Sequence, residues 1–188
     1  MTPVAFLDAS VLYPSTIRSV LMFLAAFDAF RAQWSEDIHR EWTAALARDR
    51  PDLDAKRIAR TRALMEAHLP NAMVTGYQRR IANLVLPDPD DRHVLAAALH
   101  CKADVIVTSN LKHFPKAVLS KHCIFAQLPD DFVCDLIVAD RDRAGLAFAA
   151  DRARMVNPPH SVAEYIAGID AGGLKKSATL LRNVFDQL

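Results

Sequence analysis

The fold turns on "LPDPDDRHVLAAALHCKADVIVTSN", residues 86–110. Its first half sets Asp88, Asp90 and Asp91 at the head of a smooth apolar run, which predicts a helix over about residues 90–101. Its second half, "DVIVTSN", is the clearest strand in the chain, apolar until Thr108, Ser109 and Asn110 close its carboxyl end. A helix feeding a strand with no polar alternation suits a sheet covered on both faces. Carboxylates favour a helix N-terminus, where they cap free N–H groups and meet the positive end of the macrodipole, each effect amounting to ~0.5–2 kcal/mol. Asp88 or Asp90 can fill that role, with Pro87 and Pro89 holding extended backbone before it. Capping leaves a surplus, because Asp91 then lies inside the first turn.

The same alternation continues outward. "PVAFLDAS" predicts a buried strand ending at Asp8, and Pro14 starts a helix over about residues 15–30. "RAQW" reads as a short strand, followed by a helix with Ser35 as N-cap and Ile38, Trp42, Ala45 and Leu46 at helical spacing. A basic helix ends at Pro70, then come a strand at "AMVT" and a helix around residues 77–82. Beyond Asn110 a last strand, "CIFAQ", completes an α/β fold of three layers, a central parallel sheet flanked by helices. After Pro129 only helices are predicted, over about residues 130–139, 140–155, 161–169 and 174–185. The chain thus divides into a domain over residues 1–134 and an all-helical C-terminal extension over 135–188.

A chain of 188 residues can bury one substantial core with a small appended unit. Lys and Arg number 23 against 22 Asp and Glu, so with a net charge of +1 any basic surface is local. Cys101, Cys123 and Cys134 are widely spaced without a CxxC pair, and read as buried free thiols of a reducing compartment. "MTPVAFLDAS" lacks the basic start of a signal peptide, and the longest apolar run, "VLMFLAAF", is far too short to span a bilayer. A cytoplasmic protein with no membrane contact is expected.

In an open parallel sheet, ligands gather at the carboxyl ends of strands near the topological switch point. Asp8 and Asn110 are each predicted there, and a helix antiparallel to its following strand starts Asp91 on the same side. Glu41 joins them only if its helix crosses that edge, which spacing does not establish. Brought together, Asp8, Glu41 and Asp91 would repel unless a cation neutralised them, and oxygen donors select Mg²⁺ or Mn²⁺. Plainer readings stand beside this one: Asp8 as a turn residue, Asp91 as a cap, Glu41 on a solvated helix face.

"FLDAS" with Asp8, "SEDIHREW" with Glu41, "DPDDRHVLAAAL" with Asp91 and "ADVIVTSNLKHFP" with Asn110 resemble, in order, the motifs of PIN-domain nucleases. The resemblance covers roughly residues 4–128 and is nearest to the VapC-type toxins of type II toxin–antitoxin pairs; the tail resembles the helical extension of a larger subgroup. It implies a PIN-like fold and a metal-dependent endoribonuclease that hydrolyses RNA phosphodiester bonds with acid-held Mg²⁺ or Mn²⁺. Asp8, Glu41 and Asp91 are the implied metal ligands. Asn110 stands fourth, where many PIN domains have Asp; it lowers the site charge by one and can still ligate or orient a water through its carbonyl oxygen. Ser10 is implied to donate to water at the metal or to Asp91, or else only to cap a helix. Lys112, Arg92 and the helix "KRIARTR" (residues 56–62) are candidates for holding RNA phosphates, with a solvated face as the alternative for the helix. His93 reads as a surface or packed residue, His113 as a candidate substrate contact, and Trp34 and Trp42 as core. A cognate antitoxin laid across the active-site groove and a second copy of the chain, forming a homodimer, are the implied partners.

Asn110 keeps a rival reading open, that of a catalytically weak PIN-fold module binding RNA or protein. A phosphatase or nucleotidyl hydrolase on a doubly wound sheet lacks support, for neither DxDx[TV] nor GxxxxGK[ST] occurs.

Overall fold

The computed structural model describes residues 2–185 and realises the alternation as five parallel strands. The apolar run Val4–Leu7 is β1, followed by the one-turn helix α1 (Ala9–Leu12), α2 (Ser15–Ala26), β2 (Arg31–Ser35) and α3 (Glu36–Asp49). Next come α4 (Ala55–His68), β3 (Met73–Val74), α5 (Gln78–Ile81), α6 (Arg92–His100), β4 (Val105–Val107), α7 (Lys116–Leu119) and β5 (Phe125–Gln127). The strand order is β3-β2-β1-β4-β5, so the chain winds outward from β1 on one side and resumes with β4 on the other. The switch point therefore lies between β1 and β4. Phe6, Leu7, Ile106 and Val107 are completely buried, as strands covered on both faces require, and Trp34 and Trp42 join the same core.

The helical extension comprises α8 (Pro129–Ala139), α9 (Arg141–Ala153), α10 (Val162–Ala171) and α11 (Lys175–Phe185). Helix α8 runs unbroken past residues 134–135, where the sequence reading divides the chain. Residues 186–188 of the expected extension lie outside the described residues. Helices α9 and α10 pack on α2. At that seam the buried carboxylate of Asp151 accepts hydrogen bonds from Ser19 Oγ at 2.6 Å and Tyr165 Oη at 2.8 Å, and pairs with Arg154 at 2.6 Å. A Cβ at Gly172 would meet the side chain of Thr16 at 2.5 Å, so the approach of the two segments demands glycine.

Two expectations are corrected. Helix α2 ends at Ala26, short of residue 30, because Asp28 turns left-handed at φ 58° and the Ala29 N–H returns to the Leu24 carbonyl at 2.9 Å, a Schellman-type closure without glycine. The thiols are free but not buried as expected: Cys123 is exposed and the other two are partly so.

His39, on α3, is fully buried; its Nδ1 accepts from Trp42 Nε1 at 2.9 Å, and its Nε2 has no hydrogen-bond partner. Burial, helped by the Arg62 charge, pushes its pKa down to about 4. Unfolded, this imidazole titrates at its ordinary value of 6.5, so between about pH 6.5 and 4 the unfolded chain binds the extra proton and stability rises with pH. Acidification from pH 7 to 4 is therefore expected to cost about 3 kcal/mol through this residue. Denaturant midpoints across that range should show a slope that His39→Gln flattens; an unchanged slope in the variant would refute the assignment.

Candidate active site

The register Leu7↔Val107 sets Asp8 and Thr108 side by side, each one residue past the last paired position of β1 and β4. Asp8 is 5% exposed, and its Oδ1 accepts the Ala9 N–H at 2.8 Å, capping α1. Its Oδ2 accepts the Ser10 hydroxyl at 2.6 Å and the Thr108 hydroxyl at 2.7 Å. Those hydroxyl oxygens accept in turn, Ser10 from the Ser109 N–H and Thr108 from the Asn110 N–H, both at 3.0 Å. One carboxylate thus clamps the end of β1 to the turn that leaves β4.

The acids ahead of α6 divide their labour. Asp88 Oδ1 accepts the Asp90 N–H at 3.0 Å and caps a 3₁₀ turn over Pro89–Asp91, while Asp90 points to solvent. Asp91 makes no capping bond; its Oδ2 lies 2.6 Å from Nδ1 of His113, in the turn after β4. Burial pushes the Asp91 carboxyl above its ordinary value, and the charges of Asp8 and Asp88 add to this against the opposing hydrogen bond from His113.

Helix α3 starts where β2 ends, beside β1, and carries Asp37 and Glu41 four residues apart on one face. Glu41 Oε1 lies 2.7 Å from Nε2 of His93, whose Nδ1 is buried without a partner. Burial alone would lower the pKa of His93, but Glu41, Asp37 and Asp8 outweigh it and raise it. His93 is therefore a member of the acidic cluster and not a bystander. Tyr77 donates to Asp37, and its own hydroxyl is pushed up to about 12, first by burial and then by that bond.

The charge of Asp8 acts on both Asp91 and His93, and Glu41 pairs with His93. Ser10 serves Asp8 and makes no bond to Asp91. Asn110 is exposed, its backbone N–H held by Thr108. Arg92 Nε donates to the Pro89 carbonyl at 2.9 Å, Lys112 is exposed, and on α4 Arg62 pairs with Glu36 and Glu66 while Lys56, Arg57 and Arg60 face solvent. Among the described residues, one trio of acids and histidines has its ligand atoms all within 4.8 Å of each other: Asp88, Asp91 and His113. Asp8 and Glu41 stand outside that trio. Sequence reasoning passed over Thr108 and Asp37, although the i, i+4 spacing of Asp37 and Glu41 is a usable signal. The donor set fits a divalent cation: oxygens predominate, and Asp91 is a partly buried carboxyl, raised first by that burial, with Asp8 and Asp88 adding their charges.

The family model described as "PIN domain" matches residues 5–112, and one described as "VapC50 C-terminal domain" matches residues 129–183. "Putative ribonuclease VapC50" of Mycobacterium tuberculosis is 45% identical over 69 residues, a segment covering 35% of this chain and 41% of that protein. No solved structure matches the chain.

Proposed function

The chain belongs to the PIN-domain family, and from that membership we propose that it is a metal-dependent endoribonuclease acting as the toxin of a toxin–antitoxin pair. The observation that carries this reading is the seating of Asp8 at the switch point between β1 and β4, with Asp91 held by His113 against the turn that leaves β4. Asp8, Glu41 and Asp91 would hold Mg²⁺ or Mn²⁺, with the Asn110 carbonyl oxygen as a further donor. Such an ion would supply Lewis acidity, readying water as a nucleophile at neutral pH and offsetting charge that builds on a phosphodiester.

The chain's own residues do the rest. Ser10 and Thr108 hold Asp8 in one orientation, so no reorganisation is needed when substrate arrives. His93 keeps Glu41 turned into the cluster. Lys112 and the free guanidinium nitrogens of Arg92, flanking the acids, would take RNA phosphates. We assign the helical extension from α8 onward to a unit that supports this domain, in line with the family match beginning at residue 129. The partners would be an antitoxin across the acidic groove and a second copy of the chain, and the setting the cytoplasm. No helix among the described residues is long and apolar enough to cross a membrane.

Purified chain incubated with structured and unstructured RNA is expected to cleave in Mg²⁺ or Mn²⁺, to stop on addition of EDTA, and to resume when Mn²⁺ is restored in excess. Induction in cells should arrest growth and leave discrete RNA fragments. Intact RNA under all these conditions would reduce the protein to a PIN-fold binding module.

A further inference from the structure

The oxygen-only centre expected from the sequence acquires a nitrogen. His113 Nδ1 lies 2.6 Å from Asp91 Oδ2 and 3.9 Å from Asp88 Oδ2. Each donor is anchored by its backbone. Asp88 caps a turn with its other carboxylate oxygen, Asp91 ends that turn, and His113 closes the turn after β4 through its N–H to the Asn110 carbonyl at 3.0 Å. The three side chains remain 21–42% exposed, open enough for an ion to enter from solvent.

We infer that Asp88, Asp91 and His113 form a mixed nitrogen and oxygen cation site that selects Mn²⁺ over Mg²⁺. Bonds of ~2.0–2.2 Å from a first-row ion to imidazole nitrogen and carboxylate oxygen put neighbouring donors about 3 Å apart. The spacings of 2.6 and 3.9 Å bracket that value, so small side-chain rotations suffice. The ion takes the place now held by the hydrogen bond between His113 and Asp91. Mg²⁺ demands near-ideal octahedral oxygen and gives up water reluctantly, whereas imidazole is a good ligand for transition ions. The inference leans on the nuclease reading only in sharing Asp91; the ligand His113 and the ion preference are additional to it.

The test titrates MnCl₂ and MgCl₂ calorimetrically into the full chain, His113→Asn and Asp88→Asn, and records pulsed electron paramagnetic resonance of the Mn²⁺-loaded proteins. The wild type should bind Mn²⁺ more tightly than Mg²⁺ and show ¹⁴N modulation. His113→Asn should lose at least ~10-fold in Mn²⁺ affinity and less than ~3-fold in Mg²⁺ affinity, and lose the modulation. Asp88→Asn keeps the capping oxygen and should also weaken Mn²⁺ binding. Unchanged Mn²⁺ affinity in both variants overturns the site, as does a wild-type spectrum without ¹⁴N, or a nitrogen signal that survives His113→Asn. RNA cleavage assayed in parallel separates the two claims. Cleavage without nitrogen coupling sinks this inference alone, and nitrogen coupling without cleavage sinks the nuclease reading alone.

Discussion

Asp91→Asn is expected to cut RNA cleavage at least ~10²-fold while leaving the fold as stable as before or firmer. The sign follows from electrostatics. Burial and the charges of Asp8 and Asp88 raise the Asp91 carboxyl above its unfolded value, so its ionised form is a burden on the native state at neutral pH. An amide removes that burden and can still pair with His113. Asp8→Asn should lose as much activity but also melt earlier. Its new N–H₂ would face two hydroxyls that now donate to a carboxylate, which costs about 1–3 kcal/mol. At roughly 2–4 °C per kcal/mol for a chain of this size, the shift is several degrees. Initial rates and melting curves of the two variants side by side decide the matter. Full activity in Asp91→Asn would remove it from the chemistry, and a lower melting point would contradict the repulsion.

Asp151→Ala should be among the most destabilising single substitutions in the chain. It strips the acceptor from the Ser19 and Tyr165 hydroxyls and the carboxylate from Arg154 where α9 and α10 meet α2, leaving Arg154 its bond to Ser19 and solvent. Leaving the buried Tyr165 hydroxyl without its acceptor costs about 1–3 kcal/mol, or roughly 2–12 °C here, and the half-exposed Arg154 adds little to that. Asp151→Asn, which keeps one acceptor oxygen, should fall between. A melting point for Asp151→Ala within two degrees of wild type, on the scale of roughly 2–4 °C per kcal/mol, would mean that apolar packing alone holds the seam.

Why some of this was legible in the sequence and some not has physical causes. β1 and β4 announce themselves because strands buried on both faces are apolar at every position, and Asp8 after the first and Thr108 to Asn110 after the second mark the carboxyl edge. Helices α1 and α7 have four residues each, too few for a helical period to show. The early end of α2 depends on a left-handed Asp28, a conformation that aspartate tolerates without announcing it. Asp8 and Asp91 could be placed near the edge from element order alone. His93 could not, since its partners Glu41 and Asp37 come from a helix some fifty residues earlier, and an isolated histidine on an apolar helix looks the same whether or not acids face it. Thr108 needed the strand register, which no local pattern encodes.

Ser19 and Asp151 are 132 positions apart, and this distance also measures time. At ~5–20 residues per second, translation leaves on the order of 10 s between the appearance of α2 and that of the carboxylate that locks it. Asp8, Glu41, Asp91 and His113 have all been synthesised before α8 begins. On a translating ribosome, the half that bears these acids can thus be assembled while the flank of α2 is still bare. The extension then works as a late fastener, and a nascent chain halted before α9 would carry the acids without the seal that the finished protein has.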